Sequence, residues 1–302
     1  MDNLVYTTKI SDSAYAYAVK KMQNIFRQYL IDNNRKAVVI GMSGGIDSAL
    51  TAALAGQVCA ELEIPLVGRS LPIMTNKPDE VERAARAGKI FCSNFGEKDL
   101  TSAYTALHEL MDDIDASSDE QLTLTVKIRE GNIKARTRMI YLYDLARKND
   151  GLVLSTDNYT ELMLGFWTLH GDVGDFGLLQ NIWKTEVYEM ARFLCRAGLD
   201  DDAIQILKDT ITAVPTDGLG ITNSDLDQLG AGSYEEVDKI LMTYLSGSRK
   251  EYMNHPVIIR HLTSVYKRAN PVNIARKDIL PSVYKRANPV NIARKDILPL
   301  TA

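Results

Sequence analysis

Cysteine is scarce. Cys59, Cys92 and Cys195 are the only thiols in 302 residues, and no two of them stand as CxxC. That pattern excludes a disulfide scaffold and a thiolate zinc site, and leaves three reduced core thiols, as in a cytosolic protein. Charge of one sign is lacking too. The formal net charge is -4, from 35 basic and 39 acidic residues, which gives no bulk electrostatic case for a nucleic-acid partner. No apolar run approaches the length of a bilayer span, and the N-terminus carries no basic-then-apolar leader. The expectation is a cytoplasmic chain with no membrane partner. What is present is a globular balance of 45% hydrophobic and 25% charged residues, enough for one large domain with a sizeable core. Basic residues thicken toward the C-terminus, at Arg249, Lys250, Arg260, Lys267 and Arg268. Such a tail either covers a phosphorylated ligand or forms a solvated face, and composition alone favours the second.

Apolar residues fall at helical spacing over 13–33. The run Ala37-Val38-Val39-Ile40-Gly41 is short, apolar and β-branched, and reads as a buried parallel strand. Further strands are expected over 64–68 and 152–154. Helices are expected over 47–62, from 78, and over 101–111, 122–148, 184–197, 202–209, 234–244 and 257–269, with an acidic loop over 112–119. Strands alternating with helices imply an α/β fold, a doubly wound parallel sheet with helices on both faces. Ligands gather at the carboxyl ends of such strands, where the turns at Ser43 and Thr156 fall. Segment 264–281 is repeated residue for residue as 282–299. Two identical copies do not make a solenoid. Residues 1–281 are therefore read as a single domain, and 282–302 as a duplicated tail excess to the fold.

The most informative segment is Gly41-Met42-Ser43-Gly44-Gly45-Ile46-Asp47-Ser48, set between a strand and a helix. Two glycines allow a tight turn and close approach to a ligand. The N–H groups at the helix start form an anion site, and Ser43 and Ser48 add hydroxyl donors. Asp47 would repel a phosphate, so it makes sense there as a ligand to a divalent cation that bridges phosphates. The lysine of a GxxxxGK[ST] loop is absent, which argues against ordinary γ-phosphate transfer. A plain glycine turn with an acid near a helix start remains the alternative.

SGGxDS resembles the pyrophosphate loop of ATP pyrophosphatases that adenylate a carboxyl or carbonyl oxygen. Two further segments narrow the resemblance. They are Gly131-Asn132-Ile133-Lys134-Ala135-Arg136-Thr137-Arg138-Met139, and Ser155-Thr156-Asp157-Asn158-Tyr159-Thr160-Glu161 with Gly165-Phe166-Trp167-Thr168 and Gly171-Asp172 after it. Both resemble the ammonia-dependent NAD synthase family, and Lys184-Thr185, Pro215-Thr216-Asp217-Gly218-Leu219 and Tyr266-Lys267-Arg268 agree. The resemblance spans about 13–281.

It implies an adenine nucleotide alpha hydrolase-like fold and an enzyme acting on deamido-NAD, ATP and ammonia. Gly41 through Ser48 (Gly41, Met42, Ser43, Gly44, Gly45, Ile46, Asp47 and Ser48) would hold the ATP phosphates, with Thr156, Lys184 and Thr216 also on ATP. Asp47 and Glu161 would share Mg2+. Arg136, Asp175, Tyr266 and Lys267 would contact deamido-NAD. Asp172 would bind and polarise ammonia, and with Lys184 is the catalytic expectation. The resemblance also implies a homodimer with deamido-NAD bound across the subunit interface. Glutamine-dependent relatives carry an amidase domain, and about 35 residues before the first strand cannot house one. Free ammonia, or ammonia from a separate partner, is the expected nitrogen source.

Taken singly, each residue has a plainer account. Glu161 and Asp157 suit a helix start, Arg136 and Arg138 a solvated helix face, Lys184 the surface, and Asp172 a turn. The chain also departs from the family pattern. Leu169-His170 stands where a lysine contact to deamido-NAD is usual, Tyr266 where a histidine is, and Asn158 where another histidine is common. Two rival readings remain: another adenylating enzyme on this fold, and a nucleotide sensor without catalysis.

Overall fold

Ser11 caps helix α1 (Asp12–Asp32), its hydroxyl accepting from Ala14 N at 3.2 Å. The 3.6-residue apolar stripe then turns Tyr15, Ala18, Met22, Phe26 and Leu30 inward. The structure is a computed structural model and describes residues 10–74, 76–111, 120–216, 219–222, 224–248 and 250–269, with the backbone alone at 120–122. The repeat 282–299, most of its first copy, and Asp217, Gly218 and Arg249 lie outside the described residues.

Strands β1 (Ala37–Gly41), β2 (Leu66–Ser70), β3 (Asn94–Glu97), β4 (Gly151–Ser155) and β5 (Phe176–Gly177) form one sheet in the order β3-β2-β1-β4-β5, all pairs parallel. Val39 pairs with Val67 on one side and Val153 on the other. Side chains alternate across the sheet. Val38 and Ile40 enter a core shared with α1, α2 (Ile46–Glu61), α3 (Pro78–Phe91), α7 (Lys184–Arg196) and α8 (Asp201–Thr212). Val39, Val67 and Val153 enter a second core under α4 (Thr101–Glu109) and α5 (Glu120–Lys148). Helices on both faces are what the central parallel strands require, because both faces of β1 and β4 are apolar. The doubly wound expectation is borne out.

A third cluster joins α6 (Tyr159–Leu164), α9 (Asp225–Leu229), α10 (Tyr234–Leu245) and α11 (Pro256–Thr263), around Leu164, Trp183, Leu229, Val237, Leu241, Val257 and Ile258. The expected helix 257–269 breaks at Ser264, which separates α11 from α12 (Val265–Arg268). There Ser264 packs on Gly165, whose φ is +60°; a Cβ at Gly165 would sit 2.4 Å from that of Ser264. Strand β2 runs to Ser70 rather than ending at Gly68, because pairing with β3 carries it on through Arg69 and Ser70.

Candidate active site

Strand order reverses between β1 and β4, and the crevice beyond their carboxyl ends is where such sheets bind ligands. A cleft of about 360 Å³ lies there. The loop from Gly41 to Asp47 forms one wall. Thr156, Glu161, Asp172, Lys184, Thr216 and Lys267 line the rest. Ser48 is buried behind the loop, donating to Gly45 O at 3.1 Å and accepting from Ser43 N at 3.3 Å. Gly44 has φ +83°, and a Cβ there would lie 2.2 Å from Glu80 O, so the turn requires glycine. Helix α2 has no side-chain cap at Gly45. Its first-turn N–H groups and dipole are thus available to an anion in the cleft.

Lys184, 4% exposed at its side chain, forms ion pairs with Asp47 and, at 3.3 Å, with Glu161. Burial works against its charge, but Asp47 and Glu161 together outweigh that and hold its pKa well above the ordinary lysine value. Asn158 orients both acids. Its Nδ2 donates to Asp47 Oδ1 at 2.9 Å, and its Oδ1 accepts from Glu161 N at 3.0 Å, capping α6. Sequence reasoning gave Asn158 no role here, although Asn158 with Glu161 three residues on is a capping-box signature. Asp238 of α10 was missed outright. It accepts from Thr160 Oγ1 and from Thr185 N at 2.9 Å, and Thr160 Oγ1 accepts from Lys184 N at 2.9 Å. These bonds tie together the helix starts that present Glu161 and Lys184. The Tyr234 ring lies beneath Lys184, 5.1 Å from Nζ.

Two further acids, Asp157 and Asp172, line the cleft beside Glu161. Burial pushes Asp157 up to about 8, with the Asp172 charge adding and the Ser155 hydroxyl, donating at 2.6 Å, opposing. Burial likewise raises Glu161, Lys184 opposing and Asp47 adding. Burial raises Asp172 to about 7, against hydrogen bonds from Thr168 N to both its oxygens at 3.1 and 2.9 Å. Asp157 and Asp172 thus stand above the ordinary carboxylate value, so the folded chain holds protons there that the unfolded chain releases. Their stabilising contribution is complete below the ordinary carboxylate pKa and is lost as pH rises through about 8. The ligand-free protein should therefore melt at a lower temperature at about pH 8.5 than at about pH 5.5, and Asp157→Asn should flatten that slope. Equal slopes in a thermal-shift series for both proteins would remove Asp157 as a source.

Other expected residues lie as follows. Thr216 Oγ1 donates to Glu80 Oε1 at 2.6 Å, at the edge of the cleft. Lys267 reaches back from α12 and donates to Gly165 O at 2.8 Å and to Trp167 O. Arg136, Asp175 and Tyr266 do not line the cleft. Arg136 is exposed on α5 and donates from Nε to Leu169 O at 3.2 Å. Asp175 accepts from Val153 N at 2.9 Å and Tyr143 OH at 3.0 Å. Tyr266 is exposed. No described helix is long and apolar enough to cross a membrane.

The sheet order, the glycine loop and the crevice together define an α/β protein of the adenine nucleotide alpha hydrolase-like fold. A sequence model of the NAD synthase family matches residues 18–278. An NH(3)-dependent NAD(+) synthetase of Methanocaldococcus jannaschii is 32% identical over 77% of this chain and 83% of its own. The structure of an NMN synthetase from Francisella tularensis superposes with a TM-score of 0.69 at 25% identity, covering 91% of this chain and all of that one. An NH3-dependent NAD synthetase from Campylobacter jejuni shares the fold, with a TM-score of 0.63 at 22% identity over 90% of this chain and 99% of its own. The chain belongs to the NAD synthase family, and so to the ligases that form NAD.

Proposed function

We propose that the chain adenylates the nicotinate carboxylate of deamido-NAD with ATP and then amidates it with ammonia. The observation that carries this reading is the convergence of Asp47, Glu161 and Lys184 beside an uncapped helix start, with Asp172 lining the same cleft. A carboxylate is a poor acyl donor, because oxide is a hopeless leaving group. Attack of its oxygen on the α-phosphorus releases pyrophosphate and leaves AMP as the departing group for the second step. Negative charge grows on the leaving diphosphate, which the loop N–H groups and the Lys184 ammonium would stabilise.

Asp47 and Glu161 fit a magnesium ion. Both carboxylates reach one ammonium, so they are close enough to share a cation, and they offer the hard oxygen donors that Mg2+ prefers. Among the described residues no group of three or more acids, histidines or cysteines forms a closed cage. Mg2+ takes one or two carboxylates and completes its shell with phosphate and water. When bound there, Mg2+ would neutralise charge on the phosphates.

In the second step ammonia attacks the acyl carbon. Ammonium has no free lone pair, so a proton must first be removed. Asp172, with a pKa lifted to about 7, is suited to hold ammonium and accept that proton near neutral pH. Asp172→Asn should raise the ammonium concentration needed for half-maximal rate by about tenfold or more, with ATP binding little changed. An unaltered ammonium dependence would remove the role.

The reading extends to a cytoplasmic homodimer with the dinucleotide bridging two protomers. Arg136, Ile140 and Tyr143 share one exposed face of α5, and Ile140 is 66% exposed, which supports a partner surface there.

The decisive experiment measures pyrophosphate, AMP and amide product with ATP and deamido-NAD, using ammonium and then glutamine. Nicotinate mononucleotide is assayed in parallel, because one matched structure is an NMN synthetase and this chain has Leu169 in place of the usual lysine. Amidated dinucleotide with ammonium is the expected result. Amide on the mononucleotide alone would replace the dinucleotide reading, and pyrophosphate from neither would end both.

A further inference from the structure

Six basic side chains line the cleft: Arg69, Arg83, Arg138, Lys184, Arg260 and Lys267. Five have protein partners in the ligand-free chain. Arg69 donates to Gly68 O, Arg83 to Gly44 O and Asp79, and Arg138 to Leu71 O and Asn76. Lys184 holds its two acids, and Lys267 its two carbonyls. Arg260 differs. Its guanidinium makes no hydrogen bond or ion pair to any described residue, and its buried Nε has no partner.

The side chain is nevertheless held in place. Its Cζ sits 4.6 Å from the centre of the Phe166 ring. Such stacking covers a face of the guanidinium and leaves the in-plane N–H edge for an acceptor. The acid that acts on it through space is Asp225, which accepts from Tyr234 OH at 3.2 Å. A half-buried arginine with unused donors is a costly arrangement unless an anion completes it. Its donors are set in a fork that matches phosphate geometry.

We propose that Arg260 is a phosphate-binding residue of this cleft, taking an oxyanion of a bound substrate on the guanidinium edge that Phe166 leaves open. The proposal rests on the reading that ATP and a dinucleotide share the cleft. The phosphate belongs either to ATP and its leaving diphosphate or to the dinucleotide.

The test is isothermal titration of wild type, Arg260→Gln and Arg260→Lys with inorganic pyrophosphate, ATP and deamido-NAD, each separately. Arg260→Gln should weaken binding by about tenfold or more for the ligand whose phosphate it holds. Arg260→Lys should recover part of that loss, since it keeps the charge but not the fork. Weakening for pyrophosphate and ATP assigns the phosphate to the ATP side. Weakening for deamido-NAD alone assigns it to the dinucleotide. A folded Arg260→Gln protein that binds all three with wild-type affinity overturns the proposal. If Arg260→Gln does not fold, Arg260→Lys decides, and unchanged affinities in it overturn the proposal too. A wild type that binds pyrophosphate through Arg260 but does not bind deamido-NAD would sink the NAD synthase reading and leave the phosphate site standing.

Discussion

Asp47→Asn and Glu161→Gln are each expected to cut pyrophosphate release at least about a hundredfold at saturating ATP and Mg2+. The substitutions keep size and remove charge. In Asp47→Asn the amide oxygen can still accept from Asn158 Nδ2, so the local shape survives. What is lost is one of two anions that hold the Lys184 ammonium and that are proposed to share the metal. Each variant leaves a nearly buried cation with one acid instead of two, so a fall in melting temperature should accompany the loss. Rates are therefore compared well below both melting temperatures. Near-normal turnover in both variants at limiting as well as excess Mg2+ would falsify the metal assignment, and a loss at limiting Mg2+ that excess Mg2+ cures would reduce it to a matter of affinity.

The part of this site legible in the sequence is the part carried by short contiguous strings. The SGGxDS turn follows an apolar β-branched strand and opens an Ala/Leu-rich helix, so both neighbours of the loop were fixed by local pattern. Thr156 lies just past a strand end, where the sheet rule puts ligands, whereas Lys184 at its helix start stood out only through the family resemblance. Strand β3 was not legible, because Asn94-Phe95-Gly96-Glu97 is a half-exposed edge with no apolar run. Strand β5 has two residues, α6 six and α9 five, all too short for periodicity to register. Asp238 escaped for a different reason. It lies 53 residues from Thr185 and 78 from Thr160, and an acid within an amphipathic helix looks solvated until the fold brings two buried donors to it. Arg260 looked like one more basic residue of the tail. Only the cleft shows that it lacks the partners its neighbours have.

Gly44→Ala is the second change expected to have a large effect, through backbone geometry rather than charge. At φ +83° an L side chain is strained by about 1–3 kcal/mol. The new Cβ would also lie 2.2 Å from Glu80 O and 3.1 Å from Ala84 N, both backbone atoms of α3, which cannot swing away as a side chain can. The loop must shift. Its carbonyl also anchors Arg83 Nε at 3.2 Å, so α3 and the loop would move together. A displacement on the order of 1 Å in a group that positions phosphate costs roughly a hundredfold in rate. The melting temperature should fall by roughly 3–10 °C. Gly45→Ala is the control. Its φ is -87°, and an added Cβ meets only Ser43 Oγ, at 3.4 Å, so its melting temperature should stay near that of wild type. If Gly44→Ala matched the wild type in both melting temperature and pyrophosphate release, the loop would not be a rigid anion cradle, and the proposed placement of the leaving diphosphate at the start of α2 would have to be abandoned.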